Sequence, residues 1–154
     1  MRDQIVRLMR HGRTGMRPRP AAQSTAQPTV LLVHPHPSER NALAAALTRS
    51  GYTVDMRHDG VEALRCCAAQ NFDVVISAVV MPRLDGLELL RTLRERAPKT
   101  PVIVLSTGTE EIDGVYLRYA ELMGAAATYK TPVSPSRLVD GVGQVLKERT
   151  TAED

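Results

Sequence analysis

VVISAVVMPRLDGLELLRTLR, residues 74–94, decides how this chain folds. Asp73 to Ser77 reads as an apolar strand covered on both faces. Met-Pro-Arg-Leu-Asp-Gly at 81–86 closes it, with Pro82 and Gly86 as turn residues and Asp85 at the turn and helix start. Leu87, Leu90 and Leu93 then mark the inward stripe of a helix. A strand followed through a tight turn by a helix is one half of a βαβ unit.

The same alternation extends in both directions. Upstream, Val30 to Val33 is a short apolar strand, and Ser38 stands as the N-cap of a helix with Leu43, Ala46 and Leu47 inward, ending at Gly51. Tyr52 to Met56 reads as a second strand, followed by a helix carrying Val61, Leu64 and Cys67 or Ala68 on one face. Downstream, Pro98 and Pro101 bracket the link to a strand at Val102 to Leu105. Ile112, Val115, Tyr119 and Leu122 space out the buried stripe of a fourth helix, stopped by Gly124. Ala126 to Lys130 is a weaker strand, and a last helix covers Ser136 to Lys147 with Leu138, Val142 and Val145 inward. Five strand–helix repeats joined by short links require right-handed crossovers and a parallel sheet, so the fold class is α/β, doubly wound.

The length of 154 residues accommodates one domain and a tail, and 43% hydrophobic with 24% charged residues suits a soluble globular core. No run of apolar residues is long enough for a membrane-spanning helix, and MRDQIVRLMR lacks the apolar stretch of a secretory signal. Cys66 and Cys67 are adjacent, which is neither a disulfide framework nor a metal spacing; core packing is their expected role, in a reducing cytoplasm. The net charge of +3 is unevenly placed. Residues 1–28 hold six arginines against Asp3, a balance of +5, which leaves the other 126 residues at about −2. That basic segment, rich in Gly, Pro, Gln and Ser from Gly12 onward, is expected to be a disordered tail, or the leader of an over-extended reading frame with Met16 as a second start. The expected division is a tail at 1–28, a folded body at 29–149 and a short C-terminal tail at 150–154.

Residues 74–94 resemble the third strand and helix of the response-regulator receiver domain. VLLVHPHPSER at 30–40, PVIVLS at 101–106 and GAAATYKTPVSPSRL at 124–138 fit the same family in order, so the resemblance covers residues 29 to about 149. It implies a flavodoxin-like five-stranded sheet of order 2-1-3-4-5 with five helices, as in chemotaxis-type single-domain regulators. It also implies a chemistry. Receivers take a phosphoryl group from a histidine kinase onto an aspartate ending the third strand. Two acids after the first strand hold Mg²⁺, a Ser or Thr ends the fourth strand and a Lys ends the fifth.

Carried over position by position, that set is largely replaced. Ala78 stands at the acceptor position, and His34 and Pro35 stand where the metal-binding acids would be. Ser106 retains the hydroxyl position. The family's lysine immediately precedes a proline, which places Thr131, before Pro132, at that position; Lys130 is one residue early and belongs to the other face of the strand. The expectation is a degenerate phosphorylation pocket, a pseudo-receiver that binds and does not transfer phosphate, with no catalytic residue, no cofactor and no metal.

His34 and His36 offer two imidazoles at a carboxyl strand end, where a transition metal would need a third ligand such as Asp85 or Ser106; the plainer expectation is a loop stiffened by Pro35 and Pro37 with solvated rings. The resemblance implies a partner surface on the fourth helix, fifth strand and fifth helix. On it, Tyr116 and Arg118 are the expected exposed contacts, Tyr119 is expected in the core, and Thr128 takes the place of a family aromatic. The segment between Ser106 and Gly124 is about three residues longer than is usual in the family. The reading is a cytoplasmic, single-domain receiver protein of two-component signalling, with only Arg149 to Asp154 after the last helix. Its partner would be a histidine kinase, a response regulator or a second copy. Its rivals are a conventional phosphorylatable regulator and an adaptor binding nucleic acid or membrane through the arginine-rich tail.

Overall fold

In the computed structural model, residues 27–106 and 110–153 are described, with side chains for 27–106 and 114–149. Residues 1–26 of the basic tail and residues 107–109 of the lengthened segment lie outside the described residues. Five strands alternate with five helices: β1 (Thr29–Val33), α1 (Pro37–Arg49), β2 (Thr53–Arg57), α2 (Gly60–Ala69), β3 (Val74–Ala78), α3 (Gly86–Arg96), β4 (Val102–Ser106), α4 (Glu110–Leu122), β5 (Ala127–Lys130) and α5 (Pro135–Glu153). All strand pairs are parallel and the sheet order is β2-β1-β3-β4-β5, the expected doubly wound arrangement.

The sheet is covered on both faces, which is why β3 and β4 are buried along their whole length. Alternate strand residues feed two separate cores. Leu31, Val33, Val75, Val102 and Val104 pack with α2, α3 and α4. Val30, Leu32, Val74, Ile76, Ile103 and Leu105 pack with α1 and α5, including the expected Leu138, Val142 and Val145.

Two close backbone approaches shape the carboxyl end of the sheet. A side chain at Gly86 would place its Cβ 2.0 Å from the Ala78 carbonyl oxygen, and the Gly86 N–H donates to Val79 O at 2.7 Å. A Cβ at Gly60 would likewise fall 2.4 Å from the Leu84 carbonyl oxygen. Within that turn Arg83 adopts φ 68, a left-handed conformation that costs a non-glycine residue about 1 kcal/mol or more.

Four local expectations need correction. The N-cap of α1 is His36, not Ser38: Pro37 at the first helical position supplies a fixed φ and gives up no needed N–H. His34 is not solvated; it is completely buried. The last helix does not end near Lys147 but continues through 150–153, since Thr150, Thr151 and Ala152 contain no glycine or proline to break it. On α4 the buried stripe is Leu117 and Ala120, with Met123 half-buried beside them. Val115, Tyr119 and Leu122 face solvent, so Tyr119 is not a core residue; Ile112 lies outside the described side chains.

Candidate functional site: the carboxyl end of the sheet

The topology gathers the five pocket positions at one end. His34 and Pro35 follow β1, Ala78 ends β3, Ser106 ends β4 and Thr131 follows β5. The strand ladder is extended there by three backbone bonds: His34 N–H to Arg57 O at 3.0 Å, Val79 N–H to Leu105 O at 2.9 Å and Thr131 N–H to Ser106 O at 3.1 Å. The sheet therefore fixes each position by main-chain geometry before any side chain acts.

His34, Ala78 and Ser106 are all fully buried. The Thr131 hydroxyl donates to the Ser106 carbonyl oxygen, so Thr131 does sit beside the end of β4, and its peptide bond to Pro132 is cis. Lys130 is exposed and lines an outer groove with Arg118, Thr128 and Arg137.

Among the five pocket positions His34 is the ionisable one, and it is buried. Its Nδ1 accepts the His36 N–H at 3.1 Å, which assigns the ring proton to Nε2. Nε2 lies 3.1 Å from Glu39 Oε2 without the alignment of a hydrogen bond. Arg40 Nη1 donates to the His34 carbonyl oxygen at 2.7 Å. Burial pushes the His34 pKa below its ordinary value, helped by His36 and Arg40 and opposed by Glu39. The ring is held neutral.

This donor set does not fit Mg²⁺. The hard cation takes several oxygens, carboxylates among them, and His34, Pro35 and Ala78 supply none from their side chains. Asp85 is committed elsewhere: its Oδ1 caps α3 by accepting the Glu88 N–H at 2.9 Å. No step through a metal follows from these residues. His36 is exposed, so the two histidines form no closed pair of ligands.

Asp59, which the sequence places at a helix start, joins two turns. Its Oδ1 accepts the Glu62 N–H at 2.9 Å and caps α2, while Oδ2 receives Arg83 Nε at 2.9 Å and Nη2 at 2.6 Å. The Asp-Gly-Val-Glu string carries the cap signal in the sequence; the reach of Arg83 across 24 residues does not show there. His58 and Glu62 lie close enough to share a cation with Asp59, but the Asp59 carboxylate is already held by Arg83 at a helix N-terminus, which favours anions. Burial also pushes both adjacent thiols up, Cys67 to about 12, so neither offers a thiolate near neutral pH.

Of the expected partner-face residues, Tyr116 and Arg118 are exposed and Thr128 is half-buried, its hydroxyl bonded to Glu121 Oε1 at 3.0 Å. The face is more apolar than expected, because Val115 (68% exposed), Tyr119 (56%) and Leu122 (76%) join it.

Comparison with known proteins accords with this fold. The family model for the response regulator receiver domain matches residues 30–142. The response regulator MprA of Mycobacterium ulcerans is 37% identical over 126 residues, 81% of this chain and 52% of its own length. MprA of Mycobacterium tuberculosis strain H37Rv is 36% identical over 126 residues, 81% of this chain and 53% of its own length. The chain thus spans about half the length of these curated relatives. Among solved structures, the receiver domain of the Francisella response regulator 1452 superposes with a TM-score of 0.71 at 28% identity, covering 79% of this chain and 98% of that one. The chemotaxis response regulator CheY4 of Vibrio cholerae gives 0.68 at 30% identity, covering 77% and 98%. Sheet order, the Met-Pro-Arg-Leu-Asp-Gly turn and the family match agree over the same residues: the chain belongs to the response regulator receiver domain family.

Proposed function

We propose that this receiver domain of two-component signalling takes up no phosphoryl group and works by docking a protein partner. One observation carries the reading: the residue at the acceptor position is Ala78, a buried methyl group with no atom to phosphorylate. The surroundings support it. His34 and Pro35 replace carboxylates with a neutral ring and an imide, and Thr131 spends its hydroxyl on a backbone oxygen where a lysine would offset phosphoryl charge. No nucleophile–base pair accompanies them, so the reading is a binding protein and not an enzyme.

What remains for signalling is surface. The exposed apolar residues of α4 beside Tyr116 and Arg118 suit a partner such as a histidine kinase, another response regulator or a second copy of this chain. The test is incubation of the full chain with acetyl phosphate and Mg²⁺, followed by intact mass measurement. The expected spectrum is unchanged. A gain of one phosphoryl mass that hydroxylamine removes would place an acyl phosphate on some carboxylate and overturn the proposal.

A further inference from the structure

At the opposite, amino end of the sheet a cleft of about 740 Å³ opens between the loop after α3 and the last turns of α5. Its size falls in the range of small-molecule sites. Three cations line it, Arg94, Lys99 and Arg149, against one acid, Glu148. Pro101, Ala126 and Val145 form its apolar wall. We infer that this cleft binds a small organic oxyanion, a carboxylate or phosphate carried on a compact apolar body. This goes beyond the docking proposal and does not depend on it.

Arg94 carries the argument. Its Nη1 donates to Pro98 O at 3.1 Å and its Nη2 to Thr100 O, while its Nε is buried with no hydrogen-bond acceptor. Among the described residues no carboxylate pairs with Arg94 or with Lys99. Burial lowers the Arg94 pKa, as it must for a cation drawn from water without a counter-charge. Glu148 does not supply that charge; it accepts from Gln144 Nε2 at 3.2 Å along its own helix. Arg149 is partly neutralised, donating to Asp73 O at 2.8 Å with Asp73 Oδ1 at 3.5 Å.

The guanidinium is also held in place. Two loop carbonyls grip its terminal nitrogens, and Gly124, at φ +99, lies over its stem where a Cβ would come within 3.1 Å of Arg94 Cδ. A fixed guanidinium loses little freedom on binding, and its charge, paired with no carboxylate among the described residues, adds to those of Lys99 and Arg149 when an oxyanion enters the cleft. The wall of Pro101, Ala126 and Val145 adds room for an apolar body that a bare inorganic ion would leave empty.

The test follows the Arg94 Nε–H resonance of the full chain by NMR. Titrations use benzoate, phenyl phosphate and inorganic phosphate, each against chloride at matched ionic strength. The expected result is a saturable shift of that resonance with benzoate, phenyl phosphate or both, the stronger of the two naming the head group. Inorganic phosphate should bind about tenfold more weakly than the better organic probe, for want of apolar contact. Lys99→Glu, an exposed change that leaves the fold alone, should weaken binding by about tenfold. The inference is overturned if the resonance does not move, if chloride moves it equally, if inorganic phosphate binds as well as phenyl phosphate and benzoate, or if Lys99→Glu binds as the parent does.

Discussion

His34 Nδ1 accepts the His36 N–H, so adding a second proton to the ring would set two N–H groups against each other inside a buried site. The groups facing the ring are Glu39, His36 and Arg40, and the attraction of Glu39 does not outweigh burial. The folded pKa therefore lies below 6.5. Between 6.5 and that lowered value the unfolded chain binds a proton that the native state refuses, so stability is fully present above 6.5 and declines as pH falls toward the folded pKa. His34→Asn keeps an acceptor for the His36 N–H and removes the titration. Urea denaturation from about pH 7.5 down to about pH 5.5 should show the parent losing stability and the variant losing distinctly less. Equal slopes in both proteins would mean that the ring is not the titrating group.

Elements in this molecule are held to each other by turn chemistry as much as by apolar stripes. Asp59 caps α2 and grips Arg83 in the turn that leads into α3. Burial works to raise its carboxyl pKa, but the Glu62 N–H, Arg83 and His58 outweigh that and hold it below 3.8. Its contribution is therefore complete above 3.8 and is lost as pH falls through the folded pKa. Asp59→Ala should cost about 1–2 kcal/mol from the cap alone, and Asp59→Asn, which keeps a cap acceptor, should cost less; thermal melts at neutral pH check both. On α4 the choice between two stripes is directly testable. Leu117→Ala should cost about 2–4 kcal/mol because it opens a cavity under a buried side chain. Leu122→Ala, at 76% exposure, should change stability by less than about 0.5 kcal/mol. The reverse order would put the helix on its other face.

That helix also marks the limit of what the sequence reveals. Period and turn residues were enough for the five strands and the inward face of α5, because buried parallel strands and capped helices leave strong local signals; the sheet order came only with the family resemblance. They failed on α4, where Ile112, Val115, Tyr119 and Leu122 form a more apolar stripe than Leu117, Ala120 and Met123. The buried stripe includes Ala120, fully enclosed, whose single methyl lets the helix lie close against β4 and β5. Small size won over hydrophobicity, and size matters only once the neighbouring strands are known. His34 misled for a similar reason: an imidazole just before a proline reads as a loop residue, yet its N–H continues the β1 ladder to Arg57.

At the scale of the whole molecule, the pocket positions hold no carboxylate, with His34, Ala78 and Ser106 buried, while Val115, Tyr119 and Leu122 leave apolar surface exposed on α4. Exposed side chains that contribute nothing to the core are free to be judged by binding alone. In Tyr119→Ser/Leu122→Gln the folding midpoint should stay within about 0.5 kcal/mol of the parent. Binding of the partner should weaken by about thirtyfold, the effect of losing an aromatic anchor worth about 2 kcal/mol. The measurement is affinity capture from a native lysate on the full chain and on the double variant, followed by titration of the captured protein against both. Contact through apolar surface should also survive a rise in salt. If instead the double variant binds as the parent does, and salt releases the partner, the six arginines of residues 1–28 would be the contact and α4 would not.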